Sequence, residues 1–250
     1  MICDAHAHVG YFQRKGHDRP FYYTPKRVSS ILKRCGVEEF IFSSSSSHFG
    51  VTDIESLHNE AAETKKEFGR GAHAFCWLSS PMFEADRGLT FLDRGIYDGV
   101  KLHELETRWS TRPKDLDYIL SVLEERDVPV QFHTGEDPGC YPGDYLPYVK
   151  KHPKLRVDFA HCRPVQATID AMKECPNLYT DTAFMPPERI ELLEANGVAD
   201  RVMFGTDLPV MQCYYDVQLT AYYRKVLKEF QKIASDKIMS GNFRKFLRLK

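Results

Sequence analysis

The sequence predicts an α/β fold, a closed ring of eight parallel strands each followed by a helix, the (β/α)8 barrel. Three observations predict it. Short runs rich in Val, Ile and Phe alternate eight times with stretches whose apolar residues recur at helical spacing, a pattern that implies a parallel sheet. Eight such units fill 250 residues, a length that favours a closed barrel over an open sheet. No linker, repeat or biased tract divides the chain, and the run Ser43–Ser47 is too short to count as one, so residues 1–250 read as a single domain.

The first strand is the opening stretch M-I-C-D-A-H-A-H-V-G, in which Asp4, His6 and His8 alternate with small or apolar residues. Side chains two apart on a strand share a face, so one carboxylate and two imidazoles are expected to point together. An aromatic and basic loop, Tyr11–Tyr23, follows. Thr24 then caps and Pro25 opens a helix with Val28, Ile31, Leu32 and Cys35 on one face, ended by Gly36. The second strand is Val37–Phe42. A helix over Asp53–Phe68 leads to strand three, Ala72–Leu78, and a weaker helical stretch near Glu84–Arg94 leads to strand four, Gly99–His103. Pro113 opens the next helix, with Leu116, Ile119, Leu120 and Leu123 on one face, before strand five, Val128–His133. Strand six is Leu155–His161, strand seven Leu178–Thr182 and strand eight Arg201–Thr206, with helices Val165–Glu174 and Pro187–Ala195 between them. Two further helices, one striped by Leu219, Tyr222, Tyr223, Val226, Leu227 and Phe230 and one over Asp236–Leu247, complete the pattern.

Charge and composition exclude several partners. Lys and Arg number 34 against 35 Asp and Glu, a formal net charge of −1, so no global field suggests nucleic acid or an anionic membrane. There is no apolar run of about 18 residues and no basic start leading into one, so a soluble cytoplasmic protein acting on a small molecule is expected. Seven scattered cysteines, none in a C-x-x-C pair, read as reduced thiols, and Cys140 and Cys162 as packing residues. The sequence leaves open whether the chain forms a homo-oligomer.

Barrel chemistry sits at the carboxyl ends of the strands. There the sequence places His6 and His8 (strand one), Lys101 and His103 (four), His133 (five), His161 (six) and Asp207 (eight). Each has a bland reading as a cap, a core histidine or a solvated lysine. Gathered at one rim they are hard to explain by packing, because buried charges are costly unless paired or metal-bound. Two histidines at i, i+2 behind an Asp favour a metal over two satisfied core imidazoles.

His6-x-His8, the histidines ending strands five and six, and Gly-Thr-Asp207 ending strand eight resemble the amidohydrolase superfamily. The stretch Ile238-Met-Ser-Gly-Asn242-Phe-Arg-Lys-Phe-Leu resembles the ending of its amidohydrolase-related (amidohydrolase 2) branch, TIM-barrel hydrolases and non-oxidative decarboxylases. The resemblance covers the whole chain. It implies one zinc, or another divalent cation such as manganese, held by His6, His8, His133 and Asp207, one ion rather than two. His161 would bind a second ion or act beside the activated water. Lys101 would be either an ordinary amine that holds a substrate carboxylate or a carboxylated bridge between two ions. Asp207 would serve as general base and then acid, and His161 would steady the developing oxyanion. Asp4 is expected to support the ligating histidines or to cap.

The reaction expected is hydrolysis of an amide, lactone or ester-like bond. The alternatives are decarboxylation of an aromatic or muconate-like acid, and a barrel that only binds. Arg14, Lys15, Arg19, Arg108, Trp109 and Arg112 follow strands one and four and hint at a small anionic substrate, against the alternative of ordinary solvated charges.

Overall fold

A computed structural model describes residues 1–14 and 16–249, without the side chains of Leu105 and Glu106. Nine strands form one sheet in the order β2-β1-β3-β4-β5-β6-β7-β8-β9. They are β1 (Cys3–Phe12), β2 (Phe21–Tyr23), β3 (Glu39–Ser44), β4 (Ala72–Trp77), β5 (Tyr97–Leu102), β6 (Val130–His133), β7 (Val157–Ala160), β8 (Leu178–Asp181) and β9 (Val202–Met203). All pairings are parallel except that of β2 with β1. The sheet closes on itself. Ala5 N donates to Phe204 O at 2.7 Å, Asp207 N to His6 O at 2.7 Å and His8 N to Leu208 O at 2.6 Å, so the stretch after β9 completes the ring against β1.

The helices are α1 (Pro25–Arg34), α2 (Ile54–Phe68), α3 (Ser80–Ala85), α4 (Glu104–Thr107), α5 (Pro113–Glu125), α6 (Pro142–Lys151), α7 (Val165–Glu174), α8 (Arg189–Ala195), α9 (Met211–Tyr214), α10 (Leu219–Phe230) and α11 (Asn242–Leu247). Local signals start them as the sequence predicts. The Thr24 hydroxyl accepts from Arg27 N at 3.2 Å and Pro25 occupies the first turn of α1, while the Asp53 carboxylate accepts from Glu55 N and Ser56 N at the head of α2.

Three elements differ from expectation. The Tyr11–Tyr23 loop is partly a hairpin, since β1 runs on to Phe12 and pairs with β2. The Glu84–Arg94 stretch splits into α3 and a 3-10 turn, Thr90–Arg94, because Leu89 adopts a left-handed φ of 51° between them. The last helix begins as a wide π-turn, Lys237–Gly241, before α11.

The barrel interior is layered. An apolar floor of Cys3, Ala5, Ile41, Phe75, Tyr179 and Met203 is sealed from below by Phe243 and Phe246 of α11 and the turn before it. Above it lie the buried polar side chains Lys101, Gln131, Asp158 and Asp181. The larger apolar core fills the space between sheet and helices.

A β-bulge in β1 decides where the first strand points its polar groups. Asp4 pairs with Phe40 and Ala7 with Phe42, which leaves Ala5 and His6 against Ile41 alone. The extra residue breaks the alternation expected from the sequence. Asp4 therefore faces outward with Phe40, and its Oδ2 accepts from Tyr223 OH of α10 at 2.8 Å. His6 and His8 face the interior. The expectation that all three side chains share a face holds for the histidines and fails for Asp4.

Candidate active site

The carboxyl ends of the strands open onto a cavity of about 670 Å³ lined by His6, His8, Lys101, His103, His133, His161 and Asp207, together with aromatic side chains of the connecting loops. Every residue the sequence nominates for chemistry is at this rim. The tightest group is His6, His8, His161 and Asp207. His6 Nε2 lies 3.2 Å from His8 Nε2, and Asp207 Oδ1 lies 2.8 Å from His8 Nε2 and 3.5 Å from His6 Nε2. Ligand atoms of His6, His161 and Asp207 all fall within 4.8 Å of one another. His133 joins through His161, its Nδ1 sharing a hydrogen bond with His161 Nε2 at 3.1 Å. Lys101 Nζ stands 3.4 Å from His6 Nε2. His103 stacks on His133 with ring centroids 4.0 Å apart.

The partners of the ring nitrogens determine what this group can hold. His6 Nδ1 faces Asp181 Oδ2 at 2.9 Å, and His8 Nδ1 faces Ser43 Oγ at 3.0 Å and Ser43 O at 3.3 Å. A proton held on Nδ1 by each partner leaves the Nε2 lone pairs turned toward each other and toward Asp207. His161 Nδ1 is buried without a hydrogen-bond partner among the described residues. Burial first, then the Lys101 charge, pushes His6 well below the usual imidazole range; burial first, then the His6 charge, does the same to His161. Neutral imidazoles are the form that binds a metal. Converging lone pairs and a carboxylate in a buried spot fit a divalent cation of the zinc or manganese type, with nitrogen and oxygen donors.

Backbone strain accompanies these positions. His161 and Asp207 both sit in the left-handed region, at φ 76° and 57°. Gly205 keeps the space beside them tight, since a Cβ there would approach the Asp181 and His6 Cβ atoms to 3.1 and 3.2 Å.

Asp181 and Ser43 are the functional residues that sequence reasoning missed. Asp181 ends β8 in Leu-Tyr-Thr-Asp, a strand-end acid that the same rule could have found. Its Oδ1 accepts from His161 N at 3.0 Å and Ala183 N at 2.9 Å while Oδ2 meets His6, so one carboxylate orients two histidines. Burial pushes it up to about 6, with those backbone hydrogen bonds opposing the rise. Asp181→Asn is expected to weaken zinc affinity about 10–100-fold, since the Asn side chain no longer fixes His6 Nδ1–H. Competition with a chromogenic chelator measures it, and unchanged affinity contradicts the role.

Asp4 does not orient a ligand ring. Its carboxylate accepts from His6 N at 3.0 Å, Thr206 N at 3.1 Å, Thr206 Oγ1 at 2.7 Å and Tyr223 OH, which ties both sides of the barrel seam to α10. The predicted anion-binding arginines also lie elsewhere. Arg112 is engaged by Glu84 and Asp115, Arg14 pairs with Asp216 at 2.9 Å, and Trp109 is buried in the core. Arg19 and Arg108 are exposed and do not line the cavity, and Lys15 lies outside the described residues. Cys140 and Cys162 are buried, and burial pushes the Cys162 thiol up to about 12, in keeping with packing roles.

Comparison with known proteins agrees with this fold. A candidate 2-pyrone-4,6-dicarboxylic acid hydrolase of Pseudomonas putida superposes with a TM-score of 0.71 at 16% identity, covering 100% of this chain and 98% of that one. A zinc-bound amidohydrolase of Burkholderia multivorans gives a TM-score of 0.66 at 13% identity over 100% of both chains. The apo IDCase of Metarhizium anisopliae gives 0.68 at 13% identity over 100% of this chain and 97% of that one. At these identities the likeness is one of fold, the TIM barrel of amidohydrolases. No curated protein matches the sequence. The amidohydrolase family model matches residues 3–249, and the chain belongs to that family of enzymes.

Proposed function

We propose that this enzyme is a metal-dependent hydrolase that opens an amide, lactone or ester-like bond in a small anionic molecule. The observation that carries the reading is the meeting of His6, His161 and Asp207, whose ligand atoms all lie within 4.8 Å of one another, with His8 Nε2 beside both His6 and Asp207. These four residues would hold one zinc or manganese ion, with Lys101 remaining an ordinary ammonium. A cation so held polarises a carbonyl and brings the pKa of water toward about 7. The protein's own groups do the rest. Asp207 is the carboxylate in position to take a proton from the nucleophile and return it to the leaving atom. His161 is set for that cation by His133, which shares a hydrogen bond with its ring Nε2, and by Asp181, which accepts from its backbone N–H. The cavity suits a small molecule, and no helix among the described residues is long and apolar enough to cross a membrane. All seven cysteines are thiols rather than disulfides, which supports a cytoplasmic setting.

The test measures metal content alongside turnover. Chelation is expected to abolish hydrolysis of a panel of lactones, esters and amides, and zinc or manganese to restore it. One ion per chain is expected in both the native protein and Lys101→Ala. Two ions, falling sharply in the variant, would overturn the single-ion reading. Release of CO2 from aromatic or muconate-like acids, without hydrolysis of any panel member, would replace the hydrolase with a decarboxylase.

A further inference from the structure

The charges lining the cavity are unequal once a cation is in place. Among the described lining residues the carboxylates are Asp137 and Asp207 and the fixed cations Lys101 and Arg163, so these four cancel formally. A divalent ion would then leave these groups with an excess of two positive charges. Such a cavity attracts an anion. Lys101 is buried on the floor beside His6. Arg163 is the arginine that remains available at the rim.

Arg163 follows His161 by two residues. A Cβ at Gly135 would meet its Nη2 at 3.3 Å and its Nε at 3.4 Å, so the guanidinium lies over the backbone after β6. Among the described residues its carboxylate partner is Glu136, 3.5 Å away and 67% exposed. That pair is loose and solvent-screened, and a bidentate carboxylate would displace it.

From this placement we infer that Arg163 is the specificity-determining residue of the site, holding the acid group of the substrate by a two-pronged hydrogen bond. The inference rests on the reading of the cavity as the substrate site and moves anion recognition from the arginines after strands one and four to the loop after β7.

Benzoate and benzamide, alike in shape and unlike in charge, are the probes. Trp77 is the reporter: it lines the cavity, while the chain's other tryptophan, Trp109, is buried against Phe83. Each probe is titrated into metal-loaded and metal-free protein while tryptophan fluorescence is followed. The native enzyme is expected to favour benzoate at least 10-fold, in both forms. Arg163→Gln is expected to erase that preference, leaving benzamide affinity and metal content unchanged, and Arg163→Lys to recover part of it, since Lys keeps the charge and loses the fork. A preference seen only with metal, or one that survives Arg163→Gln, assigns recognition to the ion and overturns the inference. So does a native enzyme without preference. Because the readout is binding, a failure here leaves the hydrolysis assay standing, and a failure of that assay leaves this one interpretable.

Discussion

Asp207→Asn lowers kcat/KM by about 10²–10⁴-fold on whichever panel substrate the native enzyme hydrolyses best, the range expected on removing a general acid–base. The variant tests chemistry rather than folding. Asp207 has a left-handed φ of 57°, a conformation Asn tolerates well, and its backbone N–H, which donates to His6 O across the barrel seam, is kept. The lost feature is the carboxylate that lies 2.8 Å from His8 Nε2 and 4.0 Å from His161 Nδ1, through Oδ1 and Oδ2 respectively. An amide cannot accept a proton near neutrality, and it is a poorer ligand for a divalent cation. Turnover and bound metal are therefore measured together on the same preparation. A folded Asp207→Asn protein with native kcat/KM would remove Asp207 from the mechanism.

Asp4→Ala is expected to destabilise the protein by roughly 3–5 kcal/mol, the cost of removing one member of a fully buried ionic hydrogen-bond group. Asp4 is completely inaccessible and accepts four hydrogen bonds, from two backbone N–H groups and two hydroxyls. Burial pushes its carboxyl up to about 7, and those four bonds pull the other way. Alanine leaves the His6 and Thr206 amides facing a void that Tyr223 also borders. At this chain length the loss corresponds to a melting temperature lower by on the order of 10 °C. Tyr223→Phe removes one donor together with its hydroxyl and is expected to cost about 1 kcal/mol. If both variants melt with the native protein, Asp4 does not hold the seam.

Much of this arrangement is legible in the residues. Helical and strand periods are local properties of the chain. Val28, Ile31, Leu32 and Cys35 mark a helix face, and Val165–Glu174 is bounded in the structure as the sequence predicts. The rule that chemistry gathers at the carboxyl ends of barrel strands places His6, His8, Lys101, His133, His161 and Asp207 at one rim, where they line the cavity. The closing strand was harder to bound. Only Val202–Met203 forms a regular ladder, and the remainder of the predicted strand meets β1 through single hydrogen bonds.

What the chain by itself determined is therefore the alternation of elements, the closed ring they imply and the family of donors at its mouth. Tertiary structure alone decided which neighbour each donor meets: Asp181 behind His6, Ser43 behind His8, Asp4 turned outward to Tyr223, and Arg163 rather than Arg112 at the cavity. The physical reason is that a side chain's direction on a strand follows a two-residue period only until a bulge resets it. Its partner depends on the register between strands far apart in sequence, and packing across the whole ring sets that register.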